Sequence, residues 1–198
     1  MFGGRDGRYG LSDTWVFDGS WRRVHGHMWP AGEYAGLAVA LDSERRRIVS
    51  MGNVGNIGST WEWDGERWHW FDAPGAPYGE RPNQLVYDKS RRRSVAITPG
   101  FIPGSGTYEW DGASWLLVAP AAFPMGVMPA AYDEVRRRIV ALAWESSSTW
   151  EFDGSGWTAV ATATTPLATS GRTMVFDPVL QRILYYDSSR TWAYDGRT

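Results

Sequence analysis

Asp13-Thr14-Trp15-Val16-Phe17-Asp18-Gly19 decides the reading of this chain, because the same pattern returns four times. The copies are Ser59-Thr60-Trp61-Glu62-Trp63-Asp64-Gly65, Gly106-Thr107-Tyr108-Glu109-Trp110-Asp111-Gly112, Ser148-Thr149-Trp150-Glu151-Phe152-Asp153-Gly154 and Arg190-Thr191-Trp192-Ala193-Tyr194-Asp195-Gly196. Four copies run on to another tryptophan: Trp21, Trp68, Trp115 and Trp157. A second element recurs in phase with the first, an apolar run that ends in Asp and is followed by an arginine cluster. It reads Asp42 with Arg45-Arg46-Arg47, Asp88 with Arg91-Arg92-Arg93, Asp133 with Arg136-Arg137-Arg138, and Asp177 with Arg182. Two motifs that keep step in this way define an internal repeat of roughly 45 residues.

Each unit divides into four short strands. The first is typified by Ala35 to Leu41, with Leu37, Val39 and Leu41 alternating against small residues. The second follows the arginines, as in Ile48-Val49-Ser50-Met51 and Ile139-Val140-Ala141-Leu142. The third carries two large rings at i and i+2, hence on one face of a strand. The fourth starts at the later Trp and ends in a Pro- or Ala-rich loop. Asp-Gly between the third and fourth strands is a hairpin signal, since both residues tolerate positive φ. Gly and Pro, at 23 and 11 residues, are too frequent for long helices. The expected fold is all-β, a β-propeller of four-stranded antiparallel blades in one domain over residues 1–198.

Here the residues resemble the kelch repeat. The carriers are Met1-Phe2-Gly3-Gly4, a loop, then the aromatic strand Asp13 to Asp18, then Trp21. The likeness extends over essentially the whole chain, although only the first copy keeps Gly-Gly. The others read Gly52-Asn53, Pro99-Gly100, Trp144-Glu145 and Asp187-Ser188. A tachylectin-like five-bladed propeller is similar in period and aromatic content. The strand inventory is three strands, three complete units and three strands again. It favours five blades with incomplete terminal ones, over a fragment of a larger propeller or copies that associate to cover open edges.

Composition removes several function classes. Lys and Arg total 20 against 22 Asp and Glu, a net charge of −2 that offers no field for nucleic acid or an anionic membrane. With no cysteine there is no disulfide, thiol nucleophile or thiolate metal site, and three histidines leave little for a histidine-built metal centre. No cofactor is expected. No apolar run approaches the length of a membrane span, and the opening residues do not form a signal peptide, which leaves the compartment open.

Variation between repeats separates scaffold from site. The strand 1–2 turns and the Asp-Gly turns repeat almost unchanged. The strand 2–3 connections (3–12, 52–58, 99–105, 145–147 and 187–189) and the strand 4–1 connections (25–34, 72–82, 120–128 and 162–172) differ from copy to copy. Strand alternation brings both variable sets to one face, where the kelch resemblance implies a partner or substrate site. The candidate binding residues there are Arg5, Tyr9, His27, Trp29, Tyr34, Tyr78, Arg81, Phe101, Phe123, Trp144, Arg172 and Arg190. Aromatic and arginine side chains are the enriched chemistry of binding surfaces. The repeated third-strand rings are expected to pack between blades, and Glu62, Glu109 and Glu151 to partner blade arginines. The serines lack a nucleophile context. The expected function is a non-enzymatic binding or scaffold propeller that recognises a protein, peptide or polymer. The alternatives are a glycan-binding propeller and an enzyme with a channel site. Copper-radical chemistry of the kelch-containing oxidases is excluded by the missing Cys.

Overall fold

A computed structural model describes residues 2–5, 10–24, 38–54, 57–77, 84–98, 100, 104–120, 127–143, 148–166 and 173–197. They form eighteen strands in five antiparallel sheets. The first sheet holds β1 (Phe2–Arg5), β2 (Gly10–Phe17) and β3 (Trp21–Val24). The second holds β4 (Ala38–Asp42), β5 (Arg47–Val54), β6 (Ile57–Trp63) and β7 (Trp68–Phe71). The third holds β8 (Gln84–Asp88), β9 (Arg93–Ile97), β10 (Gly106–Trp110) and β11 (Trp115–Pro120). The fourth holds β12 (Val127–Asp133), β13 (Arg138–Ala143), β14 (Thr149–Phe152) and β15 (Trp157–Val160). The fifth holds β16 (Thr173–Asp177), β17 (Arg182–Tyr186) and β18 (Thr191–Tyr194). Each sheet is a meander in chain order, and the sheets stack face to face as propeller blades. No described residue is helical, so among the described residues no helix is long and apolar enough to cross a membrane.

The two repeated motifs are the turns of the meander. In the strand 1–2 turn, Asp42 Oδ1 accepts the backbone N–H groups of Glu44 (3.1 Å) and Arg45 (3.0 Å). Asp133 and Asp177 do the same for the two N–H groups of their own turns. The residue before strand 2 is then left-handed, at φ 55° for Arg46, 56° for Arg92, 55° for Arg137 and 54° for Gln181. In the strand 3–4 turn only the glycine takes positive φ, 103° at Gly154. The preceding Asp153 instead accepts the N–H groups of Ser155 and Gly156 on its carboxylate. Sequence reasoning credited both residues of Asp-Gly with positive φ; the aspartate is an acceptor that closes the turn.

Two connections are tighter than expected. The β5–β6 ladder continues through Gly52↔Ser59 and Asn53↔Gly58 to Val54↔Ile57, so most of the expected 52–58 loop is paired strand. Likewise Arg5 pairs with Gly10 in β1–β2. Glycines in these stretches remove side chains but keep the N–H and C=O groups, and backbone pairing needs only those. β12 also starts earlier than anticipated, at Val127. Pro129 sits where the β12–β13 register shifts between Val127 and Ala130, a bulge that spares its missing N–H. The expected first strand at 35–41 is observed as β4 from Ala38; residues 35–37 lie outside the described residues.

The core lies between sheets. Val49 and Met51 of the second sheet pack on Leu85, Tyr108, Trp110 and Trp115 of the third. Val86, Val95 and Ile97 of the third face Tyr132, Ile139 and Phe152 of the fourth. The fourth meets the fifth through Ala131, Val140 and Leu142 against Ile183 and Tyr185, and the first covers Trp61, Trp63 and Trp68 with Val16 and Val24. A fully buried aromatic contributes several kcal/mol, roughly 25 cal/mol for each Å² removed from water. The repeated rings therefore hold neighbouring sheets together, as the period-2 pattern implies.

Candidate functional site

The charged residues of the repeat are the first candidates for chemistry, and the fold commits them to structure. Arg45 Nε donates to Asp42 (2.7 Å) and its Nη2 to Glu62 (2.6 Å), all within the second sheet. Arg91 joins Asp88 and Glu109 in the same way, and Arg136 joins Asp133 and Glu151. Each cluster also reaches the next sheet. Trp110 Nε1 donates to Glu62 at 2.7 Å, and the Tyr194 hydroxyl donates to Glu151 at 2.8 Å. Arg91 lies 5.2 Å from the Phe152 ring centre and donates to the carbonyl of Gly154; Arg136 lies 4.9 Å from the Tyr194 ring centre. A Cβ built on Gly154 would stand 2.7 Å from Arg91 Nε. The glycine of the Asp-Gly turn is thus required by its backbone conformation and by the arginine of the preceding sheet.

Titration follows from these contacts. Burial raises the Asp42 pKa, but the backbone N–H and the guanidinium of Arg45 together outweigh it and hold the carboxyl below its ordinary value. Burial and then the Glu151 carboxylate push the Tyr194 phenol up to about 12. These clusters are interface fasteners, as expected for the three glutamates. Among the described residues no group of three or more His, Asp or Glu side chains is placed to hold a metal ion.

Most expected binding residues fall where nothing is described. Tyr9, His27, Trp29, Tyr34, Tyr78, Arg81, Phe101, Phe123, Trp144 and Arg172 lie outside the described residues. For Arg5 the backbone alone is described, within β1. Arg190 is exposed, and its N–H closes the β17–β18 turn onto Asp187 Oδ1 at 2.8 Å.

A cleft between the fourth and fifth sheets supplies a site that sequence reasoning missed. Val140, Leu142 and Thr149 line it from one sheet and Met174, Tyr185 and Trp192 from the other. Thr162, Thr164 and Pro166 of the β15–β16 connection close its side. It is small, about 50 Å³, and its lining is mostly apolar. The signal that points to it is a threonine before the third-strand aromatic in all five copies: Thr14, Thr60, Thr107, Thr149 and Thr191. Three of these accept an indole N–H from the following sheet. Trp68 donates to Thr14 (2.9 Å), Trp115 to Thr60 (2.7 Å) and Trp157 to Thr107 (2.7 Å).

No family model matches the chain, and no curated protein matches it; its similarity lies in structure. A nidogen/laminin complex contains a chain that matches with a TM-score of 0.57 at 12% identity, over 89% of this chain and 70% of that one. A structural-genomics protein of unknown function from Bacteroides thetaiotaomicron matches equally, with a TM-score of 0.57 at 12% identity. There the match extends over 89% of this chain and 46% of the other. An Aleuria aurantia lectin variant in complex with Fucalpha1-6GlcNAc matches with a TM-score of 0.50 at 14% identity, over 96% and 69%. At these identities the likeness establishes a β-propeller arrangement.

Proposed function

We propose that this chain is a non-enzymatic binding propeller of kelch type that recognises a protein, peptide or polymer through its variable strand 2–3 and 4–1 connections. The observation that carries this reading is the use of the repeated charges. Asp42–Arg45–Glu62 and its two copies are spent on contacts within and between sheets, which leaves recognition to the residues that differ between repeats. The structural neighbours agree in kind, one of them in a protein–protein complex and one holding a fucosylated sugar. A lectin-like reading is favoured by the second neighbour alone and requires sugar pockets that the divergent connections do not repeat. The site residues proposed are the twelve loop and strand-end positions, with Trp29, Arg81 and Trp144 as anchors.

Photo-crosslinking tests this directly. A benzophenone amino acid at position 29, 81 or 144 is expected to capture one common protein partner, and one at Glu66 or Lys89 on the turn side is expected to capture none. Equal capture at both sets, or capture at neither, overturns the reading. Saturable calorimetric binding of Fucalpha1-6GlcNAc would replace it with the lectin reading.

The five sheets are proposed to be five blades of a single propeller with incomplete outer blades. A solution mass of one chain is expected. A multiple that Trp21→Ala reduces to one chain would replace this with association through the outer blades.

A further inference from the structure

We propose that the open cleft between the strand 1–2 turns of the third and fourth sheets binds a small organic carboxylate, whose carboxyl group pairs with Arg137. Lys89 and Ser90 line this cleft from the third sheet, and Tyr132, Glu134 and Arg137 from the fourth. It holds about 320 Å³, within the roughly 300–1,000 Å³ of small-molecule sites. The two sheets pack directly on each other, Val86 and Ile97 against Tyr132 and Phe152, so their turns are held side by side. The ligand's chemistry is read from the equivalent junction one sheet earlier. There Glu44, two residues after Asp42, reaches across to the third sheet, its Oε1 3.5 Å from Arg92 Nη2. The residue two after Asp88 is Ser90, whose short side chain is turned onto Asp88 Oδ1 at 2.9 Å. Arg137 has the same left-handed backbone as Arg92, φ 55° against 56°, yet makes no hydrogen bond or ion pair with any described residue. One junction thus sets a carboxylate on two methylenes against its arginine, and the next has a cleft.

The other charges of the cleft favour a ligand with one negative charge. Lys89 Nζ lies 2.9 Å from Glu134 Oε2, so these two offset each other. Asp88, which accepts from Ser90, is also held by Arg91 Nε at 2.8 Å. Arg137 is left as the cation of the lining without a partner, and a guanidinium takes a carboxylate through two parallel hydrogen bonds. Tyr132 is the buried member of the lining and its one ring, and its hydroxyl already accepts the Ser90 N–H at 3.2 Å. The ligand's uncharged body is therefore placed against that ring. An exposed ion pair contributes little, so the affinity expected is modest, with Kd on the order of 1 mM. The position that opens the cleft is one at which the turns differ: Glu44, Ser90, Val135 and Val179 stand two residues after their aspartates. The site lies on the turn side, apart from the twelve loop positions, and takes a small molecule, so failure of either reading leaves the other intact.

The probe is para-fluorobenzoate, titrated with the 198-residue chain at fixed ionic strength and read by fluorine NMR line width. Saturable broadening is expected. Arg137→Gln should weaken it at least about fivefold, and glutamine already holds this left-handed position at Gln181, so the turn is kept. Ser90→Glu, which installs the residue found at Glu44, should fill the cleft from within and weaken binding to a similar degree. Arg46→Gln, at the equivalent left-handed arginine of the second sheet, should leave binding unchanged. Circular dichroism confirms that the variants are folded. No saturation up to about 10 mM, or unchanged binding by Arg137→Gln or Ser90→Glu, overturns the proposal. So does an equal loss with Arg46→Gln. Binding of para-fluorobenzyl alcohol as tight as that of the acid would overturn the carboxylate as the recognised group. Displacement of the probe by chloride as readily as by equimolar benzoate would overturn a built site in favour of general charge attraction.

Discussion

Arg91 and Glu109 occupy the positions in the third sheet that Leu180 and Ala193 occupy in the fifth, while the turns around them are built alike. Asp88 and Asp177 each close a strand 1–2 turn on a backbone N–H, and Arg92 and Gln181 share the left-handed position after it. The arginine is therefore not needed for the turn. What differs is the neighbour. Val86 and Ile97 of the third sheet are buried under the fourth, whereas the equivalent Val175 and Tyr186 of the fifth are 55% and 48% exposed. In the second, third and fourth sheets, each covered by a following one, arginine and glutamate are present together; in the fifth, which none of the described residues covers, they are replaced together. A buried glutamate without its arginine is an uncompensated charge, and the arginine without the next sheet has no glycine or ring to lie against.

The largest expected effect contrasts an aromatic buried between sheets with an exposed one. Trp110→Ala, at a side chain 1% exposed and bonded to Glu62, should cost about 4 kcal/mol by urea denaturation. Trp21→Ala, at a side chain 56% exposed, should cost under about 1 kcal/mol. Equal losses would mean that the outer face of the first sheet is covered in solution.

Converting the third sheet toward the fifth comes next. Arg91→Leu alone strands the buried Asp88 and the half-buried Glu109 and should cost about 3 kcal/mol. Adding Glu109→Ala, which reproduces the pair found in the fifth sheet, should recover at least about 1 kcal/mol relative to the sum of the single changes. Strict additivity in the double-mutant cycle would break the link between the two positions.

Acid provides a graded version. The Asp42 pKa is lower in the folded chain than its ordinary 3.8, so its contribution is present above that value and is lost as pH falls through the lower folded one. The urea midpoint should drop as pH is lowered below about 4, and Asp42→Asn should flatten that slope.

The smallest effect concerns what the two sheets share. Arg92→Gly and Gln181→Gly both relieve a left-handed non-glycine residue and should each stabilise by roughly 0.5–1 kcal/mol. A gain in one sheet only would show that the arginine side chain offsets the backbone cost.

Sequence carried the architecture because the repeat states each turn and each strand several times. Trp61, Trp110 and Phe152 are buried between sheets as their i, i+2 spacing implies, and Glu62, Glu109 and Glu151 partner arginines as their interleaved charges imply. Three things were not legible. Gly52 and Gly58 looked like loop, because side-chain patterns do not report backbone pairing. The partner of each outer tryptophan lies about 50 residues away on the preceding sheet, so Thr60 and Thr107 carried no local mark of their role. The cleft beside Thr149 is lined from two sheets and the connection between them, and no single stretch of residues spells that. As for the loop-face candidates, ten lie outside the described residues, Arg5 is described by its backbone alone, and Arg190 is the one whose side chain is described.

The arginine that lies over the next sheet's glycine gives each link of this molecule two different ends. The third and fourth sheets carry both a socket, Gly112 or Gly154, and a plug, Arg91 or Arg136. A repeat with both ends can be duplicated in place and still mate with its neighbours on either side. The fifth sheet has the socket, Gly196, but Leu180 where the plug would be. A chain lengthened by copying the third or fourth unit should therefore extend the stack, whereas one lengthened by copying the fifth would introduce a joint held by apolar contact alone.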